Sequence, residues 1–485
     1  MELNYSGSGN IEYNNNKYRF DLYKNEDYGS VMIKISVNNP LCSFIELPLD
    51  FDLIKGEYDN GFKFTLINCK RGSVHSLFSE GRTVFEYFAK YMIEGIKYNN
   101  IESVKFDSIQ YSLTDIIEWG QISGYLISNS FELSKNKNAE MIIYNNDEGI
   151  MIKYRVDHSM LPCVQSELLC SEIKLSQTGK IIIESSKIPQ SLDSFMDIIK
   201  KIKELIELCT VKRISISSIV ALSEECYDEY GEKRVPRPIS ILSFKGKATN
   251  KIQDPFIQYK WITLPELQQY NSFESFFKKY DLLIPIVESY AEILYSDHLS
   301  NIRLFLDIVQ SLETYHSRFI TNNLAEFKNR IDNVILCDCP EDNKAQYKQY
   351  LLANSRSYIT LESRMADLLL AEFKTVFETG DIAIFDFPKV VAQTRNYYIH
   401  YDESIKERGH VLSPEELSLY NIALLTILDY YILLELGFDD ITQIRMKLKE
   451  RWGDVSTALS IQKASDEKHN TPKNDFNIQA PAGTL

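Results

Sequence analysis

An arginine, an amide and an imidazole fall within six residues of the stretch Thr394-Arg395-Asn396-Tyr397-Tyr398-Ile399-His400-Tyr401-Asp402. On a helix, at about 100° per residue, Asn396 and His400 lie about 40° apart and share a face. Arg395 lies about 140° from His400 and reaches the same ligand only if its long side chain curls round. The set suits phosphodiester chemistry. A guanidinium offers a permanent planar charge to a phosphate oxygen. An imidazole, with an ordinary pKa near about 6.5, takes or gives a proton at neutral pH. The amide can orient the imidazole or the substrate. If the substrate is RNA, its own 2′-hydroxyl can attack, so neither a protein nucleophile nor a metal is needed. The expected products are then a 2′,3′-cyclic phosphate and a 5′-hydroxyl. One arginine and one histidine make a sparse half-site; two copies meeting across a two-fold axis would bring two of each to one phosphate. The same stretch also admits a structural reading, with Tyr397, Tyr398 and Ile399 in a core and Arg395 and His400 solvated.

Other constellations are weaker. No P-loop, strand-linked GxGxxG, GxSxG or HExxH occurs, and no cofactor is expected. Cys337-Asp338-Cys339 lacks a second pair at zinc spacing and reads as helix-end thiols. Glu313 stands three residues before His316 on one helix face, where it could orient His400, bind Arg395, or form a structural ion pair. His316 and Arg318 are supporting candidates for RNA contact, set against a solvated helix end, which is the favoured reading. Lys233-Arg234-Val235-Pro236-Arg237 could touch phosphates, although a charge run is usually a solvated loop. His75, His158, His298 and His410 have no suggestive neighbours, and His469 lies in the tail.

These groups sit late in a chain whose texture changes near residue 265. Residues 1 to about 185 alternate as strands do: Tyr18, Phe20 and Leu22; Val31, Ile33, Ile35 and Val37; Phe62, Phe64 and Leu66. Hairpins are predicted at 141–156 around Asn145–Gly149, and at 173–185 around Gln177-Thr178-Gly179. Residues 79–99 fit strand or helix. Ser191 caps a helix through Leu208. Strands resume at 214–219, 239–244 and 256–262, with a charged surface loop over 224–238. Helical spacing follows at 272–296, 299–320, 323–337 and 344–376. It continues at 387–404, with Asp386 as cap and Pro388 in the first turn, and at 414–436, with Ser413 as cap, Glu416 three residues on and Gly437 beyond the end. The polar tail 463–485 reads as disordered. The expected fold class is therefore α+β: a large β-rich N-terminal domain over 1–265, an all-α bundle over 266–462, and the tail.

Composition sets the outer limits. The 485 residues are 44% hydrophobic and 25% charged, which excludes wholesale disorder and collagen. The 53 lysines and arginines against 68 aspartates and glutamates give −15. That balance disfavours indiscriminate polyanion binding and points to a small, selective cleft. Eight scattered cysteines read as reduced core thiols. The opening MELNYSGSGN shows no signal peptide, and apolar windows such as 422–436 fall short of the roughly 18 residues a membrane span needs. A cytoplasmic protein with no membrane partner is expected.

Arg395-Asn396-x-x-x-His400 resembles the Arg-x(4–6)-His motif of HEPN-domain ribonucleases, placed as there on a late helix. Ile308–His316 is similar to the first bundle helix of the ApeA-like HEPN group. Tyr259-Lys260-Trp261-Ile262 stands where that group's β-rich N-terminal domain closes. The resemblance implies metal-independent RNA cleavage, dimeric active sites and anti-phage defence by shutting down translation. It assigns His400 to acid–base work, Arg395 to charge stabilisation and Asn396 to positioning. The N-terminal domain would restrain or direct the nuclease, with a phage-derived component as trigger and a small or structured RNA such as tRNA as substrate. The rival readings are a non-catalytic dimerisation or nucleotide-binding module, which an intact Arg-Asn-x-x-x-His disfavours, and a carbohydrate-binding β-sandwich, for which no paired carboxylates are found.

Overall fold

The computed structural model describes residues 4–452, apart from segments 26–29, 41–46, 115, 130–131, 162–173, 212, 232, 244–260, 296–298, 321–330, 332–339, 354–359, 370–386 and 409–410. The chain divides into two compact units, Met1–Phe277 and Lys278–Leu485. Of the strand expected at 256–262, residues 256–260 lie outside the described residues and 261–262 are not strand; the helix over most of 323–337, the Asp386 cap, the Cys337 and Cys339 thiols and the tail 463–485 also lie outside them. A β-rich N-terminal region followed by a helical C-terminal region is the architecture read from the sequence.

The first unit is built on antiparallel pairing. Strand Arg82–Glu94 pairs with Ser30–Val37, which continues through Asn16–Asn25, Asn4–Tyr13, Asp50–Tyr58 and Lys63–Leu77; the last returns to Arg82–Glu94 and closes a six-stranded barrel. Closure removes the free edges that would otherwise pair with other chains. The period of two fills the barrel: Phe20, Leu22, Ile33, Ile35, Phe64, Leu66, Phe85 and Tyr87 are fully buried. Residues 82–94 thus resolve as strand. Thr65 breaks the alternation because its outer face is also covered; its hydroxyl donates to the Ile96 carbonyl and accepts from the Tyr98 N–H.

From Arg82–Glu94 the sheet runs on through Ile239–Ser243, Ile216–Leu222, Ser108–Leu113, Lys174–Ser185, Ile150–Leu161 and Glu140–Asn145. Here two expectations are corrected. No turn interrupts 177–179: Lys174–Ser185 is one strand, paired with Ile150–Leu161 from Leu161↔Lys174 to Ile150↔Ser185. Gly179 supplies close approach in place of positive φ, since a Cβ there would stand 2.6 Å from Ile116 Cγ1. Gly179→Ala is expected to cost about 1–3 kcal/mol by overpacking, read as a lower Tm; an unchanged Tm would refute this role. The charged 224–238 stretch is also more than a loop. Tyr227–Tyr230 and Lys233–Pro236 pair as a hairpin, with the Arg234 guanidinium 4.4 Å from the centre of the Tyr227 ring. Ser191 caps the helix Leu192–Thr210 by accepting from the Ser194 N–H, and Phe195, Ile199, Ile202 and Ile206 form its buried stripe.

The second unit is helical. Asn301–Phe319 packs against Pro414–Glu435, and Phe387–His400 packs against both Asn301–Phe319 and Leu361–Leu368. Ser413 and Glu416 form the predicted capping box, with Pro414 at the first position, and Gly437 takes φ +92° after the end. The apolar run read as short extends into a 22-residue helix that could span a membrane by length and composition; 78% of its most apolar window is buried inside the protein. That burial marks a bundle core helix. The helical span expected over 344–376 instead shows Glu341–Ala353 and a separate helix Leu361–Leu368. Thr360 is extended and caps the second by accepting from the Ser363 N–H. Ser272–Tyr295, most of which belongs to this unit, Glu403–Arg408 and Ile441–Trp452 are its other described helices.

Candidate active site

The helix Phe387–His400 buries Phe387, Val390, Val391, Thr394, Tyr397 and Tyr398, the 3–4 spacing of a single core-facing stripe. Two of these residues bind one backbone unit. The Leu412 N–H donates to Thr394 Oγ1 at 3.1 Å, and the Tyr398 hydroxyl donates to the Leu412 carbonyl at 2.8 Å. Burial, followed by the neighbouring Tyr397 and Tyr401, raises the Tyr398 phenol above its ordinary pKa, which keeps it a donor. Phe387 stacks on Tyr420 at 5.3 Å. With that stripe fixed inward, Asn396 and His400 fall on the outer side.

Arg395 is half-buried and held on two sides. One terminal nitrogen donates to Asn396 Oδ1 at 3.2 Å, and the other lies 3.4 Å from Glu313 Oε2. The pair keeps about a third of each side chain in solvent, 31% and 27%, so by itself it contributes only about 0–1 kcal/mol; its effect is to orient the guanidinium. Of the roles open to Glu313, the geometry realises the contact with Arg395. His400 is exposed at the end of the helix, with no hydrogen-bond partner among the described residues. Ile399 is 45% exposed and does not join the core.

The helix stops at His400, short of the expected 404, because Tyr401 turns left-handed with φ +50°, a conformation that costs an L residue about 1–2 kcal/mol. The Tyr401 N–H still reaches the Tyr397 carbonyl at 2.5 Å.

The other sequence candidates go elsewhere. His316 is not at a solvated helix end but is buried at 1% exposure. Its Nδ1 faces Arg364 Nη1 at 3.4 Å and its Nε2 faces Asp367 Oδ2 at 2.8 Å. A guanidinium only donates, so Nδ1 accepts and Nε2–H donates to Asp367. His316 therefore ties two helices together and is shielded from any ligand. Arg318 donates to the carbonyls of Asp281 and Leu282 at 2.8 and 3.0 Å. Both carbonyls belong to the helix Ser272–Tyr295, in which Pro285 has no N–H for the Asp281 carbonyl four residues back, so Arg318 supplies the missing donor. In the basic hairpin, Arg234 meets Glu229 at 3.6 Å and Arg237 donates to Cys226 Sγ at 3.3 Å, so both are engaged locally. Arg364 and Asp367 were missed by sequence reasoning; their i, i+3 spacing on a polar helix face was the available signal.

A separate concavity in the first unit, about 400 Å³, is lined by Lys17, Lys55 and Lys97 and by Glu12, Glu57 and Asp59 among other polar groups. Its charges balance, with Lys97 paired to Glu57 at 2.6 Å, so it has no bias toward an anion.

Residues 3–277, more than half of the chain, match the family described as ApeA N-terminal domain 1, and residues 306–441 match Apea-like HEPN. The chain belongs to the ApeA-like HEPN family. In this ApeA-like HEPN protein the second match takes in Glu313, Arg395, Asn396 and His400 together. HEPN domains are generally ribonucleases, and membership of the ApeA group is consistent with a nuclease role in defence. The chain has no significant match among curated proteins or solved structures.

Proposed function

We propose that this protein is an endoribonuclease that cleaves RNA without a metal ion and acts in bacterial anti-phage defence. The observation that carries the reading is an exposed His400 on the same helix as a guanidinium that Glu313 and Asn396 hold in place. In the reaction the ribose 2′-oxygen forms a bond to phosphorus while the bond to the 5′-oxygen breaks. One imidazole takes the 2′-hydroxyl proton and a second gives a proton to the departing 5′-oxygen. Arg395 stabilises the charge that builds on the non-bridging oxygens. Two imidazoles are supplied when a homodimer brings His400 of the partner subunit to the same phosphate. The net charge of −15 favours a small or structured RNA, such as tRNA, that enters a local cleft. The N-terminal unit restrains the nuclease until a phage-derived trigger relieves it.

The test is cleavage of tRNA and total RNA by the full chain in excess EDTA, with the ends identified chemically. Retained activity, with 2′,3′-cyclic phosphate and 5′-hydroxyl ends, is expected. Activity that vanishes in EDTA and returns with Mg²⁺, or 5′-phosphate ends, would overturn the mechanism.

A further inference from the structure

Tyr401 follows His400 directly and occupies a backbone conformation that glycine usually fills at helix ends, φ +50°. A tyrosine there calls for a reason beyond ending the helix. Its ring is held edge-on by Tyr397, with centroids 5.7 Å apart at 61°, and by Tyr398, at 6.2 Å and 84°. Those two rings are themselves fixed, Tyr398 through the Leu412 carbonyl at 2.8 Å and Tyr397 through Glu403 at 3.2 Å. The Tyr397 ring also has the Lys406 ammonium 5.6 Å from its centre. Yet Tyr401 stays 61% exposed while Tyr397 and Tyr398 are 9% exposed. A flat aromatic surface, oriented by its neighbours and open to solvent, therefore follows the exposed imidazole by one residue along the chain.

We propose that Tyr401 is a stacking platform for the nucleobase that flanks the phosphate at His400, and so sets a preference for a purine at that position. The ligand class rests on the RNA-cleaving reading of the His400 site. Bases stack on aromatic side chains through their π faces, and the larger purine ring system covers more of a tyrosine than a pyrimidine does. A platform of this kind acts on base identity without touching the reacting atoms, so Tyr401 determines specificity and is not a catalytic residue.

The experiment uses the full chain and RNA 12-mers that differ at one flanking position, carrying a purine, a pyrimidine or an abasic site. Wild type is expected to favour purine over abasic RNA in kcat/KM by about tenfold to a hundredfold. Tyr401→Ala should flatten that ratio to near one, while Tyr401→Phe and Tyr401→Trp keep it. A ratio that survives in Tyr401→Ala overturns the platform. So does a change confined to oligomeric state, followed by sedimentation of the same samples, because the ring would then face a second copy of the chain. In parallel, 2-aminopurine placed at the flanking position reports stacking in the His400→Ala chain without turnover. Quenching that disappears in the Tyr401→Ala, His400→Ala double variant supports the platform even if no RNA is ever cut, an outcome that sinks only the catalytic reading. Absence of quenching overturns the platform itself.

Discussion

His400→Ala is expected to slow RNA cleavage by about 10²–10⁴-fold, the usual contribution of a positioned general acid or base, while Tm stays within about 1 °C of wild type. The unchanged stability follows from one observation. The side chain is exposed at the end of its helix and has no hydrogen-bond partner among the described residues, so removing it leaves no buried group unpaired and opens no cavity. His400→Gln, which restores the bulk but cannot shuttle a proton, should be as slow as the alanine variant. Arg395→Lys is the companion. It keeps the charge but loses the planar fork that reaches Asn396 and Glu313 together, so its kcat should fall more than its KM rises. RNA cleavage that is unchanged in His400→Ala would remove the site assignment altogether. A loss of activity accompanied by an equal loss of stability would show that the histidine holds the fold instead.

What the sequence revealed and what it hid divide along a physical line. Barrel strands such as Asn16–Asn25 were legible because burial on one face imposes a period of two on Tyr18, Phe20 and Leu22. The placement of the candidate motif was legible because Arg395, Asn396 and His400 share one helix, where spacing converts directly into direction. Relations between distant residues were not. Arg395 and Glu313 meet across 82 positions, and sequence spacing left Glu313 with several roles. His316 was read as a solvated helix end because its partners Arg364 and Asp367 come from another helix and leave no mark in the local pattern. Gln177-Thr178-Gly179 was misread because glycine signals two different things, a left-handed turn or the absence of a side chain. Ile116 pressing on Gly179 makes it the second. The hairpin Tyr227–Tyr230 with Lys233–Pro236 escaped because it has no apolar alternation to betray it.

The helix Ile441–Trp452 escaped for a related reason, and it carries the largest expected effect on stability. Its Arg451 reaches into the core, 5% exposed, to meet Asp429, 0% exposed, at 3.0 Å. Asp429 also accepts from the Tyr290 hydroxyl at 2.7 Å, and the Arg451 guanidinium lies 5.4 Å from the centre of the Tyr290 ring. Asp429→Ala removes the carboxylate that faces this buried guanidinium, which costs about 3–5 kcal/mol. At roughly 2–4 °C per kcal/mol for a unit of this size, the helical transition should drop by about 10 °C. The paired change Asp429→Leu with Arg451→Met removes both charges and should recover most of the loss, since a buried ion pair is weak evidence for net stability even though breaking one is expensive. Calorimetry on the full chain separates the cases. A double variant as unstable as the sum of its single changes would mean that the two residues act independently, and the ion pair would then not be what fastens the last described helix to the core. Recovery in the double variant would place the stabilising coupling between them, with Asp429 on the same Pro414–Glu435 helix against which the Glu313-bearing helix packs.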